Sequence, residues 1–356
     1  MKYPLLENAF SSDDVKKGIQ VLKTKQITMS KETNDFEKIF QKQNNSNFVL
    51  MCNSGSSANL LMVATACNPL RKNFLKKNDE VLIPAVCWST SLWPLIQYGL
   101  KPIFVDVDID TLNIDIENLK KKISKKTKAI MIVHILGLST NMDELIKICK
   151  KNKLILFEDT CESLGTKYRS KNLGNFGDFG SYSFYYSHQI TSGEGGMVVC
   201  KDRNDYEILK CLRSHGWSRN TRLHNFYKKK YKKLNEKFLF INSGYNLRPL
   251  DITAAIAKNQ YKRLNSFIRT RNFNRDLIIK KILSNKKWNN QFKFINVPKF
   301  ITPSWFGLPI LINNKFIKKK KKFLNFLDKI GIENRPIVSG NFLNQPAIEL
   351  YKIKTK

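Results

Sequence analysis

"AIMIVHILGLSTNMDELIKICKKNKLILFEDTCESLG", residues 129–165, carries the reading of the fold. Ala129–Leu138 is the most apolar run of the chain, too short to span a bilayer and suited to a buried strand, with "AIMIVHI" (129–135) as the strand candidate. "MDELIKICKKN" follows with helical periodicity, and "LILFED", 154–159, is apolar until its last two residues. Near-continuous apolar strands joined by a helix read as parallel neighbours in a sheet covered on both faces.

The alternation extends both ways. Upstream stand "FVLM" (48–51), "EVLIP" (80–84) and "PIFVDV" (102–107), separated by the helical patterns "SSANLLMVATAC" and "STSLWPLIQYG". Downstream come "GSYSF" (180–184) and "GMVVC" (196–200). The fold class is therefore α/β, a mostly parallel sheet with helices on both faces. The first 40 residues predict an arm with one helix. A long helical pattern over 252–283 leads into "WFGLPILI", a predicted strand at 305–312, and a helix over 317–330. The expected division is residues 1–255, arm and large α/β domain, and 256–356, a smaller α+β domain.

A chain of 356 residues suits two domains. Lys and Arg number 62 against 29 Asp and Glu, a formal charge of +33. That excess would suit a nucleic-acid binder, but it is mostly lysine spread along the chain, with no recognition motif. It reads as compositional drift, and a positive field still attracts anionic substrates. Its densest runs are 228–233 and 318–322, the second reading as the solvated face of an amphipathic helix. The seven cysteines form no CxxC pair and no metal-ligand spacing, so no metal is expected. "MKYPLLENAFSSDDVKKG" has no apolar core of signal-peptide length, and a cytoplasmic protein without membrane or nucleic-acid partners is the expectation.

Ligands of open parallel sheets bind at the carboxyl ends of the strands, where several polar groups fall. After 48–51, Gly55 permits a tight turn and Ser56 and Ser57 open a helix. That is either a phosphate site or an ordinary N-cap. No GxxxxGK[ST] or GxGxxG occurs, which counts against nucleoside triphosphates and dinucleotides. Trp88 stands after the next strand, to stack on a flat ring or to fill the core. Glu158 and Asp159 end an apolar strand, where a carboxylate needs a cation: a ligand's ring nitrogen, an arginine or a helix N-terminus. Glu162 follows one turn later. In "SFYYSHQITSGEGGMVV", 183–199, Ser183 offers a hydroxyl and His188 stands where chemistry would occur. Gly193, Gly195 and Gly196 suggest close backbone approach. Asn246 and Arg248 sit in a Gly-Tyr-Asn turn suited to an anion.

In this order "NSGSSANL", "EDTCESLG", "SF…SH…GEGG" and "GYNLR" resemble the DegT/DnrJ/EryC1/StrS sugar aminotransferases, fold-type I pyridoxal phosphate enzymes. The likeness runs from about residue 5 to 346. It implies a homodimer with shared active sites. Gly55, Ser56, Ser57 and Ser183 would lie at the cofactor phosphate, Asp159 at the pyridine nitrogen with Glu162 nearby, and Trp88 on the ring. Asn246 of the partner subunit would complete the phosphate site. Ordinary members carry at the place of His188 a lysine that bonds covalently to the cofactor. No lysine occurs here between Asn172 and Cys200. Histidine at that place resembles a smaller branch, the nucleotide-sugar 3-dehydratases, as do "RSHGWSR" (213–219) and "NRPIVSGNF" (334–342).

The branch implies pyridoxal or pyridoxamine phosphate as cofactor, L-glutamate as amino donor and a nucleotide 4-keto-6-deoxy sugar as substrate, GDP-4-keto-6-deoxymannose before others. The imidazole, with a pKa in the working range, moves the proton that expels the 3-hydroxyl, and ammonia is released. His215, Arg219, Arg248 and Arg335 are the candidates for sugar, diphosphate or glutamate. A related branch carries an iron–sulfur cluster on four cysteines; no cysteine follows Cys211, so none is expected. The chain stops at "YKIKTK", short of the elements with which the family's small domain usually continues. Other readings are a different nucleotide-sugar, half-transamination alone, or an idle homologue that binds without turnover.

Overall fold

Seven apolar strands become one sheet. The computed structural model describes residues 2–353. In chain order the strands are β1 (Phe48–Cys52), β2 (Glu80–Pro84), β3 (Lys101–Val105), β4 (Thr127–Val133), β5 (Ile155–Asp159), the short hairpin pair β6 (Lys167–Tyr168) and β7 (Lys171–Asn172), β8 (Phe179–Ser183) and β9 (Gly196–Cys200). The sheet runs β1-β9-β8-β5-β4-β2-β3. Pairing is parallel except along β9, which is antiparallel to both of its neighbours.

Side chains alternate across the sheet and divide the core in two. Leu50, Cys52, Val198 and Cys200 join the larger cluster with Leu61, Met62, Leu82 and Ile130. Their neighbours Val49, Met51, Met197 and Val199 join a second cluster with Phe36, Phe40, Tyr182, Phe184 and Tyr261. Helix α3 (Gly55–Ala66) lies in the first layer and is buried nearly all round, hence its apolar sequence. Helices α1 (Ser12–Thr24), α2 (Lys31–Asn44) and the helix Asp251–Tyr261 belong to the opposite side, with Phe36, Phe40 and Ala254 as the contact.

The arm holds two helices, not one. Asp251 causes the break: its carboxylate accepts from the N–H groups of Ser30, Glu32 and Thr33 and from Thr33 Oγ1 at 2.6 Å, capping α2 from far along the chain. The helix Asp251–Tyr261 runs across the expected boundary at residue 255. A turn at Lys262 and Arg263, where Arg263 reaches the buried Asp14 at 2.5 Å, separates it from the helix Leu264–Leu283. The predicted strand 305–312 shrinks to Ile310–Ile312, which pairs with Phe292–Phe294. Its first residues are committed elsewhere: Arg271 Nη1 donates to the carbonyls of Trp305 and Phe306 at 2.9 and 3.1 Å. The basic run 318–322 enters a helix at Lys320–Lys329. No helix among the described residues is long and apolar enough to cross a membrane.

Candidate active site

The strand order brings the ends of β1, β5 and β8 together, and Asp159 is the deepest group there. Its carboxylate is buried and accepts from Asn59 Nδ2 and Ser91 Oγ, each at 2.7 Å, and from the Cys161 N–H at 3.2 Å. Ser181 Oγ fixes Asn59 in turn at 2.6 Å. Among the described residues Asp159 has no ion-pair partner. A buried carboxylate held by neutral donors alone fits a cationic ligand group. Glu158, beside it, is consumed internally. It accepts from the N–H groups of Gly174, Phe176 and Gly177 and lies 3.0 Å from His134 Nε2. Burial opposes ionisation of Glu158, but His134 and these amides hold its carboxyl below the ordinary range.

Above β1, Ser54 caps α3 by accepting from the Ser57 N–H at 3.1 Å, with the two hydroxyls 3.0 Å apart. Ser56 Oγ lies 3.1 Å from Thr90 Oγ1. Ser183, at the end of β8, packs directly on Gly55, where a Cβ would come 2.5 Å from the Ser183 Cβ. Gly55→Ala is therefore expected to cost roughly 1–3 kcal/mol by overpacking. Chemical denaturation checks this, and parental stability in the variant would contradict the packing. A cavity of about 490 Å³ opens beside this turn, lined by Ser54, Ser56, Glu194, Arg248 and Thr253 among others.

His188 is half-buried in the turn after β8. Its Nδ1 is covered and has no hydrogen-bond partner. Burial pushes the imidazole down to about 4, with Asp159 favouring and Arg271 opposing protonation. This corrects the expected working-range pKa: the ring is neutral throughout the neutral range. Burial also pushes Glu162 up to about 7, against the Leu136 N–H that its carboxylate accepts at 2.9 Å. Glu162 thus holds the Ile135–Gly137 turn.

The family model described as "DegT/DnrJ/EryC1/StrS aminotransferase family" matches residues 9–355. The chain belongs to this family. It is 40% identical to GDP-4-keto-6-deoxy-D-mannose 3-dehydratase of Escherichia coli O55:H7 over 99% of this chain and 89% of that one. Identity to the enzyme of the same name from Yersinia pseudotuberculosis is 36%, over 98% and 87%. The structure of the E. coli enzyme with bound hydrated PLP superposes with a TM-score of 0.91 at 39% identity, covering 98% of this chain and 88% of that one. A histidine-to-asparagine variant of GDP-4-keto-6-deoxymannose-3-dehydratase with bound GDP-perosamine gives 0.90 at 39%, covering 98% and 89%.

Within this family fold the residues picked from the sequence separate into groups. Gly55, Ser56, Ser57, Ser183, Asp159, Glu162 and His188 gather at the strand ends. Trp88 is 56% exposed, which removes the core reading and leaves its ring at the surface ahead of helix Ser89–Gln97. Asn246 and Arg248 are exposed and joined to each other, Nε to Oδ1 at 3.1 Å, and the Asn53 N–H donates to Leu247 between them. His215 and Arg219 both lie against the Trp217 ring, away from the cavity lining. Arg335 is paired with Glu333 at 3.0 Å and does not line the cavity either. The glycine turn serves the chain itself: a Cβ on Gly196 would meet the Ser54 carbonyl at 2.2 Å, and Gly193 adopts φ +81°. Reading the sequence missed Asn59 and Ser91. Each is a polar residue within the first five positions of a largely apolar helix, and that contrast was the available sign. No group of three or more His, Cys, Asp or Glu among the described residues is placed to hold a metal.

Proposed function

We propose that the protein is a nucleotide-sugar 3-dehydratase that works with pyridoxal/pyridoxamine phosphate, takes electrons and an amino group from L-glutamate, and removes the 3-hydroxyl of GDP-4-keto-6-deoxymannose. The observation that carries this is His188. A neutral imidazole that cannot bond covalently to the cofactor stands where the ordinary aminotransferases have lysine, in a chain 40% identical to an enzyme of that name. The reaction balances without an external reductant. Glutamate becomes 2-oxoglutarate and ammonia, and its two electrons replace the C3 hydroxyl by hydrogen; the water consumed and the water formed cancel.

The cofactor supplies an amine that condenses with the 4-keto group and a cationic ring that draws electrons from it. Asp159 is placed to hold that ring's nitrogen in its protonated form, with Asn59 and Ser91 fixing the carboxylate. Ser57, Ser183 and the first turn of α3 suit the phosphate, and Trp88 offers a face for the ring. His188, neutral at pH 7, takes and returns the proton that accompanies loss of the hydroxyl. Asn246 from the partner subunit of a homodimer would complete the phosphate site. Arg248, with His215, Arg219 and Arg335, would meet the diphosphate, sugar or glutamate carboxylate. The assignment includes a cytoplasmic location and a large and a small domain, with the division expected at 255/256 placed instead at the turn of Lys262 and Arg263.

The test combines purified protein, pyridoxal phosphate and excess L-glutamate, followed by absorbance, before GDP-4-keto-6-deoxymannose is added and ammonia assayed. Conversion of the cofactor to its amine form, then ammonia release with loss of the 3-hydroxyl, is the expected result. Conversion without ammonia would exclude this sugar, and no cofactor binding would exclude the enzyme reading.

A further inference from the structure

A segment from the C-terminal part of the chain crosses to the histidine. Ser304 and Trp305 are buried, and the Ser304 N–H donates to Thr166 Oγ1 at 3.0 Å. The Phe306 N–H donates to the Leu136 carbonyl at 3.3 Å, while Arg271 grips the carbonyls of Trp305 and Phe306. The fit against the large sheet is close: a Cβ on Gly137 would meet the Ser304 carbonyl at 2.2 Å. That carbonyl also accepts from Gln189 Nε2 at 3.2 Å, and the same nitrogen donates to the Glu162 carbonyl at 2.5 Å. Gln189 is the residue after His188. Finally, the Phe306 ring lies 5.0 Å from the imidazole, tilted by 43°.

We propose that the Ser304–Phe306 strap is a positioning element for His188: Phe306 walls one side of the imidazole and Gln189 ties its turn, leaving Nε2 as the nitrogen presented to the reacting atoms. Nδ1 is covered and unpartnered, whereas Nε2 is neither covered nor hydrogen-bonded among the described residues. A ring free to flip or tilt would divide its time between productive and idle orientations, and small misplacements of a reacting group are costly. Nδ1 is shielded from solvent, so a protonated ring would carry there an N–H without an acceptor. The charged groups that face His188 are Asp159 from β5 and Arg271 from the helix Leu264–Leu283, and the Tyr185 ring lies 6.0 Å away in the same turn. The inference rests on the dehydratase reading for its chemistry, though not for its geometry.

The experiment is a proton NMR titration of His188 in the full-length protein, with a pH–rate profile of ammonia release. The chain has 4 histidines, so His134, His215 and His224 serve as references. Phe306→Ala is expected to raise the His188 midpoint from about 4 toward the ordinary 6.5, because loss of the neighbouring ring lessens the desolvation of the imidazole. The acid limb of the rate profile should move up with it. The kcat should fall by roughly tenfold with little change in KM, as expected for misplacement rather than lost binding. Phe306→Leu, which restores an apolar wall, should recover most of both. Gln189→Met, which keeps volume and removes the donor, should lower kcat in the same manner. An unmoved midpoint and acid limb in folded Phe306→Ala would overturn the proposal. If Phe306→Ala does not fold, parental kcat in Gln189→Met would overturn it equally. The titration needs neither cofactor nor sugar. Absence of ammonia from the parent enzyme would therefore sink the dehydratase reading while the midpoint still judges the strap.

Discussion

His188→Asn is expected to abolish ammonia release from GDP-4-keto-6-deoxymannose, by on the order of 10³-fold or more, while cofactor binding stays near the parental level. The size follows from the worth of a positioned acid–base group, roughly 10²–10⁴-fold, with no second imidazole in the cluster to substitute. Binding survives because the groups assigned to the ring and phosphate, Asp159, Ser57 and Ser183, are separate side chains with their own supports. Absorbance on adding pyridoxal phosphate and an ammonia assay separate the two properties. Parental turnover in the variant would remove His188 from the reaction. His188→Lys makes the complementary case. A primary amine at this position should bond to the cofactor aldehyde, giving a shifted absorbance band that borohydride makes permanent, and dehydration should still cease.

Asp159→Asn is the second large effect. The carboxylate is buried, has three neutral donors and no ion-pair partner among the described residues, so its charge has no compensation from the protein. If it answers a protonated ring nitrogen, removing the charge breaks a buried pair. That costs about 3 kcal/mol, on the order of a hundredfold in cofactor Kd. Turnover should fall further, since a ring that is no longer held cationic draws electrons poorly. Removing one supporting donor, Asn59→Ala or Ser91→Ala, should cost roughly 1.5–3 kcal/mol of cofactor affinity, the range for a hydrogen bond to a charged group. Titration of each variant with pyridoxamine phosphate measures these differences. Equal Kd for Asp159→Asn and parent would show that the carboxylate does not meet the ring.

Much of this site could be read along the chain because its parts are local. Apolar runs of strand length end on polar residues. Gly55 precedes Ser56 and Ser57 at a helix start, and the Asp159 strand end and the His188 turn are each continuous stretches. Such features need only periodicity and short-range sterics. The two-helix arm escaped because the cap of α2 is Asp251, more than two hundred residues away along the chain. The predicted strand at 305–312 was shortened by the same kind of override, since Arg271 and Leu136 claim its first residues. The turn glycines predicted a close backbone approach without its partner, which at Gly196 is the chain's own Ser54 carbonyl.

The sequence by itself determined the layered α/β class, the cluster of polar strand ends and the exchange of lysine for histidine at position 188, because each is written in neighbouring residues. Only the tertiary structure decided which buried carboxylate lacks a cation. It alone brought Asn59 and Ser91 to Asp159, and it moved His188 away from its ordinary pKa. Those properties depend on groups distant along the chain whose spacing carries no local sign. Burial, a neighbouring charge and a ring wall exist only once strand order and the Ser304–Phe306 crossing have placed them.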